Sequence, residues 1–208
     1  ARGAIRESIY PDASTAASRQ TAFERVWALT PDTLPQMEYR PAQTGVVVRT
    51  NFDAASSLPN ASVTIPPHTS AQILIDRGTM ISGYPVLFVS GGKAAKVALT
   101  YSEALYDADQ KRGDRNEVGA RQALGLTDEF IADGSAGRRF QPLWFRTWRY
   151  LQLTVNTGPD PITIDRLETI FSAYPFEERA SFTSNDPELK RIWDICWRSA
   201  RLAAHETY

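Results

Sequence analysis

From Gly45 onward the chain is a succession of short β-branched or alternating runs, each bounded by Pro, Gly or Asn, with no helical periodicity between them until the C-terminal end. The runs are Val46 to Val48, Ser62 to Ile65, Ala71 to Asp76, Val86 to Val89, Ala95 to Tyr101, Phe140, Phe145 to Val155, Ile162 to Ile170 and Ala180 to Thr183. Strands that follow one another without helices imply antiparallel pairing. The pattern therefore predicts a mainly β fold, a jelly-roll-type β-sandwich over residues 45–183.

Within Lys96 to Tyr101, the side chains of Val97, Leu99 and Tyr101 share one face of a strand and Lys96, Ala98 and Thr100 the other. On the run that starts at Phe145, Leu151, Leu153 and Val155 point one way and Trp148, Tyr150 and Gln152 the other. Ser90-Gly91-Gly92-Lys93 reads as a hairpin connection whose glycines take positive φ. It is no phosphate loop, because GxxxxGK[ST] spacing is missing and no helix pattern comes after it. The stretch from Tyr106 to Arg138 reads as irregular.

Residues 1–44 read as a linker or the tail of a preceding domain. Arg19 to Leu29 suits a short helix, and Pro31, Pro35 and Pro41 break the residues after it into extended pieces. At the other end, Asn185-Asp186-Pro187-Glu188 is a strong helix start: Asp186 can cap the free N–H groups, and Pro187 has no N–H to lose. Leu189, Ile192, Trp193, Cys196 and Ala200 form one apolar stripe, with Ile195 and Leu202 marking a second. Two stripes call for two partners. His205-Glu206-Thr207-Tyr208 offers no cap or following Pro, so the helix is expected to run on to the last residue, as in a segment cut from a larger protein.

The chain has 208 residues, of which 42% are hydrophobic and 11% aromatic, enough for one full domain with flanking pieces. Its 23 basic and 24 acidic residues leave a net charge of -1, which argues against a nucleic-acid or other polyanion partner. No apolar run reaches the roughly 18 residues of a membrane-spanning helix. Cys196 is the sole cysteine, so no internal disulfide forms. The sequon Asn60-Ala61-Ser62 fits a surface loop.

Two clusters carry chemical interest. The first runs from Tyr106 to Glu117 and packs both charge signs into one loop. An EF-hand calcium loop is rejected, since Lys111 stands where a third oxygen ligand belongs and Arg112 where the glycine belongs. The charges can simply neutralise one another in solvent. Alternatively, Arg115, Asn116 and Glu117 form a polar lip that hydrogen-bonds sugar hydroxyls, and these are the candidate substrate-binding residues. The second cluster is Trp144, Phe145, Arg146, Trp148, Arg149 and Tyr150. Exposed aromatics there could stack on sugar rings, but Trp and Tyr in a strand more often fill a core or a domain interface, here with the terminal helix as partner.

No catalytic set emerges. His205-Glu206 is the first half of an HExxH zinc motif without its second histidine, and His68 and His205 alone support no triad. Asp107, Asp109, Asp114 and Glu117 could pair as glycosidase carboxylates only from a mobile loop, a poor place to hold two groups at a fixed separation. No metal or cofactor is expected.

The run Tyr101-Ser102-Glu103-Ala104-Leu105-Tyr106, then Arg115-Asn116-Glu117, Pro142-Leu143-Trp144-Phe145-Arg146-Thr147-Trp148-Arg149-Tyr150, Tyr174-Pro175-Phe176-Glu177, and Ile192-Trp193 through Tyr208 resembles bacterial α-L-rhamnosidases of glycoside hydrolase family 78. The resemblance spans residues 45–208. It implies a β-sandwich packed against an (α/α)6 barrel, in an enzyme that hydrolyses terminal α-L-rhamnosides with inversion, from a periplasmic or secreted location. Residues 184–208 would be the barrel's first helix. The family's catalytic acids lie in the barrel beyond this stretch, so the resemblance carries no catalytic residue onto this chain. The competing reading is a free-standing carbohydrate-binding module, which would expose a planar aromatic patch, whereas the scaffold reading hides Trp148 and Trp193 between domains.

Overall fold

A computed structural model describes residues 33–205 and the backbone of two short strands, β1 (Ile5–Glu7) and β2 (Leu29–Pro31), which pair antiparallel with Ile5 opposite Pro31. Most of the helix expected over Arg19 to Leu29 lies outside the described residues; Leu29 itself opens β2.

The remaining strands are β3 (Arg40–Ala42), β4 (Val46–Thr50), β5 (Val63–Ile65), β6 (Ser70–Gly91), β7 (Lys96–Ser102), β8 (Leu105–Tyr106), β9 (Gln122–Ala123), β10 (Thr127–Ile131), β11 (Arg138–Phe140), β12 (Arg146–Asn156) and β13 (Ile162–Phe171). Every pairing among them is antiparallel. The sandwich is organised by β6, which takes part in both layers. Its first half pairs with β4 and β12, and β12 continues the layer outward to β7 and β10. Its second half pairs with β13 and β11, and β13 carries β3 and β5 at its two ends. Ile73 and Ile75 from the first half, Leu87 and Val89 from the second, and Val97, Leu99, Leu151, Leu153, Val155, Ile162 and Ile164 form one buried core between the layers.

This corrects the reading of Ala71 to Asp76 and Val86 to Val89 as separate strands. Gly78, Gly83 and Pro85 look like breaks, yet the strand runs through all three. Gly78 takes φ +82° in the irregular stretch Arg77 to Met80, where the β6–β12 ladder shifts register, and at Gly83 a Cβ would lie 2.0 Å from the Ile170 carbonyl oxygen, so the glycine admits β13. Pro85 pairs with Thr169 alone, so its missing N–H breaks no second ladder. Ser90 to Lys93 is likewise no hairpin. Strand β6 does not pair with β7, and the segment instead carries the chain from one layer to the other. Its glycines do take positive φ, and Gly92 sits where any Cβ would strike Ile162.

Two further expectations change. The stretch from Tyr106 to Arg138 contains β9 and β10 and closes through the β8–β9 pair over the outer face of the first layer, burying Tyr150, Leu74 and Leu105. Ala180 to Thr183 forms no strand; its side chains are exposed and no neighbouring strand pairs with it. Arg40–Ala42, inside the stretch read as linker, joins the sheet edge.

Helix α1 spans Pro187–Ala203, and the Asp186 carboxylate caps it by accepting from the Glu188 N–H at 2.9 Å. The helix does not run on as expected. It ends at Ala203, where the Ala204 carbonyl accepts from the Tyr174 N–H at 2.9 Å, so tertiary contact replaces a local stop signal. Among the described residues no helix is long and apolar enough to cross a membrane.

Candidate functional site

The loop that carries Arg115, Asn116 and Glu117 is tied down by its own residues and by the sheet beneath it. Asp107 accepts from the N–H groups of Asp109 and Lys111, and Asp114 from that of Asn116. The Glu117 carboxylate pairs with Arg121 at 2.8 Å, the Asn116 side-chain oxygen accepts from Arg149 at 2.9 Å, and the Arg115 carbonyl accepts from the Tyr150 hydroxyl at 2.5 Å. Of the three candidates, only the Arg115 side chain stands in solvent with no partner among the described residues. The loop is thus a fastened cover over Tyr150.

Beneath it lies an ion pair absent from the sequence reading. Arg149 grips Asp76 through Nε at 2.9 Å and Nη2 at 3.0 Å, and Asp76 also accepts from the Gly78 N–H at 2.7 Å, which holds the irregular stretch of β6. Burial alone would raise the Asp76 pKa, but the hydrogen bonds from Arg149 and Gly78 outweigh it and hold the carboxyl below its ordinary value. A lone aspartate at the end of the apolar run Ala71 to Ile75 was the available signal.

An open cleft of about 440 Å³ lies beside this region, lined by Glu103, Tyr106, Leu126, Trp144, Phe145 and Arg146 among others. Trp144 is 60% exposed and stacks on Phe145, with ring centroids 5.4 Å apart. Arg146 is fixed by a two-pronged bond to Asp128 of β10, at 2.9 and 2.7 Å. Tyr101 closes the floor. Its buried hydroxyl meets no partner at hydrogen-bond geometry among the described residues, and burial first, the Asp128 charge second, raise its pKa. Aromatic faces beside an arginine and a glutamate suit the stacking and hydrogen bonding of a sugar ring. They do not suit two-carboxylate hydrolysis, since among the described residues Glu103 is the only acid in the lining.

The second aromatic cluster divides between three environments. Trp148 is fully buried in the sandwich core against Tyr101, not between domains and not against the helix. A bulge between Trp148 and Tyr150 shifts the alternation by one residue, which puts Trp148 on the same side as Leu151 despite its even number. Tyr150 meets the loop. Phe145 reaches the terminal segment, where it stacks on His205. Trp193 is half-buried beside Phe182.

The end of α1 is anchored at several points besides the Tyr174 to Ala204 bond. Arg201 pairs with Glu38, His205 Nε2 lies 3.0 Å from the Ser172 carbonyl, and Phe145 covers the His205 ring. Farther back the helix is open: Leu189, Ile192 and Ile195 are 42%, 54% and 51% exposed.

The sequence profile of the bacterial alpha-L-rhamnosidase concanavalin-like domain family matches residues 68–171, half of the chain. The chain belongs to this family. The matched span runs from the start of β6 to the end of β13, the strands that build both layers of this rhamnosidase-type sandwich. The fold is similar to that of a glycoside hydrolase family 78 rhamnosidase from Bacillus sp. GL1, at 21% identity and a TM-score of 0.55, over 71% of this chain and 15% of that one. It is also similar to a Klebsiella oxytoca rhamnosidase with rhamnose bound, at 16% identity and a TM-score of 0.60, over 83% of this chain and 36% of that one. The chain thus spans well under half the length of either. No curated protein sequence matches it.

Proposed function

We propose that this chain is the non-catalytic β-sandwich of an inverting α-L-rhamnosidase acting on terminal α-L-rhamnosides of plant or bacterial glycans. Residues 45–183 together with the edge strand β3 supply the sandwich, the rest of residues 1–44 a linker or the tail of a preceding domain, and residues 184–208 the first helix of an (α/α)6 barrel that holds the catalytic acids. The parent protein works in the periplasm or outside the cell.

The observation that carries this reading is the uneven environment of α1. Its C-terminal end is anchored to the sandwich through Arg201 and the segment that ends at His205, while Leu189, Ile192 and Ile195 face solvent. An amphipathic helix of this kind needs apolar cover on its open side, and further helices of a barrel provide it. In the parent, one carboxylic acid protonates the glycosidic oxygen while a second carboxylate activates water from the opposite face. The sandwich positions that machinery and takes no part in the proton transfers.

The test compares the 208-residue chain with the longer parent polypeptide on 4-nitrophenyl α-L-rhamnopyranoside. Turnover by the parent and none by the chain is the expected result; a parent inactive on every α-L-rhamnoside overturns the reading. The exposed Trp144 ring favours a second reading, a free-standing carbohydrate-binding module. Saturable heat from titrating rhamnose into the isolated chain, lost in Trp144→Ala, would move the assignment to that module.

A further inference from the structure

A groove of about 250 Å³ separates the C-terminal half of α1 from the sandwich, and four of its lining residues are arginines: Arg40 of β3, Arg77 in the irregular stretch of β6, and Arg198 and Arg201 of α1. No carboxylate lines it. Glu38 pairs with both Arg40 and Arg201, and among the described residues it is the one carboxylate in an ion pair with these four guanidinium groups, in a chain whose overall charge is -1.

The surplus charge is only partly satisfied. Arg77 donates to the carbonyls of Gln43 and Thr79 and to the Thr79 hydroxyl, all neutral acceptors, and burial lowers its pKa. Arg198 has no ion pair among the described residues, and the Arg201 Nε is buried without a hydrogen-bond partner. A partly desolvated guanidinium without a counter-charge is costly, and a planar anion that matches its fork relieves that cost. The remaining wall is aromatic: the guanidinium carbons of Arg40 and Arg201 lie 4.7 and 5.1 Å from the Phe171 ring centroid, and Trp197 lines the helix side.

We propose that this groove binds a carboxylated sugar, a single uronate unit, with its carboxylate held by Arg77 and Arg198 and its ring against Trp197. The volume admits one small unit and no extended chain, being below the range of pockets that hold larger ligands. Arg40 and Arg77 belong to the sandwich while Arg198 and Arg201 belong to the helix, so the bound anion bridges the two and stabilises the docked position of α1. The sugar carrier rests on the proposed glycan-active parent; the carboxylate rests on the arginines alone.

The experiment is calorimetric titration and thermal unfolding of the 208-residue chain at constant ionic strength with galacturonate, galactose, acetate and sulfate. Galacturonate is expected to bind saturably at about one per chain and to raise Tm, galactose to give no heat, and acetate and sulfate to bind at least about tenfold more weakly. Arg198→Gln, at an exposed and unpaired position, should leave the Tm of the free chain unchanged and weaken galacturonate by about tenfold or more, and Arg77→Gln should weaken it similarly. Absence of saturable binding, an equal response to sulfate or acetate, or unchanged affinity in Arg198→Gln overturns the proposal. Turnover of a neutral rhamnoside by the parent is read separately, so failure of the groove and failure of the proposed function are distinguishable.

Discussion

Phe145 and His205 lie face to face, their ring centroids 3.8 Å apart and their planes 3° from parallel. The two residues come from the position just before β12 and from the segment just after α1, so the stack helps set where the helix leaves the sandwich. Phe145→Ala removes the covering ring and should weaken docking of the helix end by about 1 kcal/mol. Amide exchange over residues 187–203 should quicken while that of Leu151 to Val155 stays slow. Unchanged exchange in the helix would mean that the stack contributes nothing to docking.

Gly83 offers a sharper steric test. A Cβ at this position meets the Ile170 carbonyl oxygen at 2.0 Å, and that oxygen is backbone within the paired strand β13. Gly83→Ala must push β6 and β13 apart, and a loss of more than about 3 kcal/mol is expected by urea denaturation. Gly137→Ala is the control: its φ of +63° costs about 1–2 kcal/mol, but nothing lies within 4 Å of the added methyl.

The pair of Asp76 and Arg149 makes stability depend on pH. The folded-state pKa of Asp76 lies below the ordinary value of 3.8, so its contribution is fully present above that value and is lost as pH falls through the lowered one. Asp76→Asn should cost roughly 2–3 kcal/mol near neutrality, because a charge-assisted bond is exchanged for weaker ones. The gap between the two proteins should stay constant down to about pH 5 and narrow in more acid solution. Denaturation midpoints measured at several pH values check this; a gap independent of pH would contradict it.

The contrast between what local pattern reveals and what it hides is clearest in β6 and β12. The apolar runs Ala71 to Ile75 and Val86 to Val89 are legible because their side chains fill the core. Their union into one strand is not, because Gly78, Gly83 and Pro85 are breakers by local preference and are overruled by neighbouring strands. Trp148 is misassigned by strict alternation because a bulge adds one residue to the count. The helix start is legible, since Asp186 and Pro187 act within their own turn; its stop is not, since Tyr174 and Phe145 are distant in sequence. At the candidate site, Arg115, Asn116 and Glu117 are identifiable by type, but their engagement with Tyr150, Arg149 and Arg121 is a tertiary fact.

Tyr150→Phe isolates the fastening of that loop. The hydroxyl donates to the Arg115 carbonyl, and the ring itself is buried with Leu74 and Leu105. Removing the oxygen alone should cost about 1 kcal/mol and leave the Arg115 carbonyl seeking water. Exchange should rise in residues 107–121 and nowhere else. If Arg115 also meets substrate in the parent, the same variant should raise KM on long rhamnosides with kcat preserved, through loss of loop order.

The open face of α1 separates two meanings of exposure. Ile192 and Ile195 touch solvent in this chain, so Ile192→Glu and Ile195→Glu should alter its stability by no more than about 0.5 kcal/mol, as at other surface sites. In the parent polypeptide the proposed barrel covers the same positions, and a glutamate there would bury an unpaired charge at a cost of several kcal/mol. The substitutions should therefore be silent in the 208-residue chain and destabilising in the parent, with rhamnosidase activity lost in step. Thermal unfolding of both lengths, with Lys190→Ala as a charged-face control, gives the comparison. Silence in both lengths would show that no helix packs on this face, and the barrel assignment would fall with it.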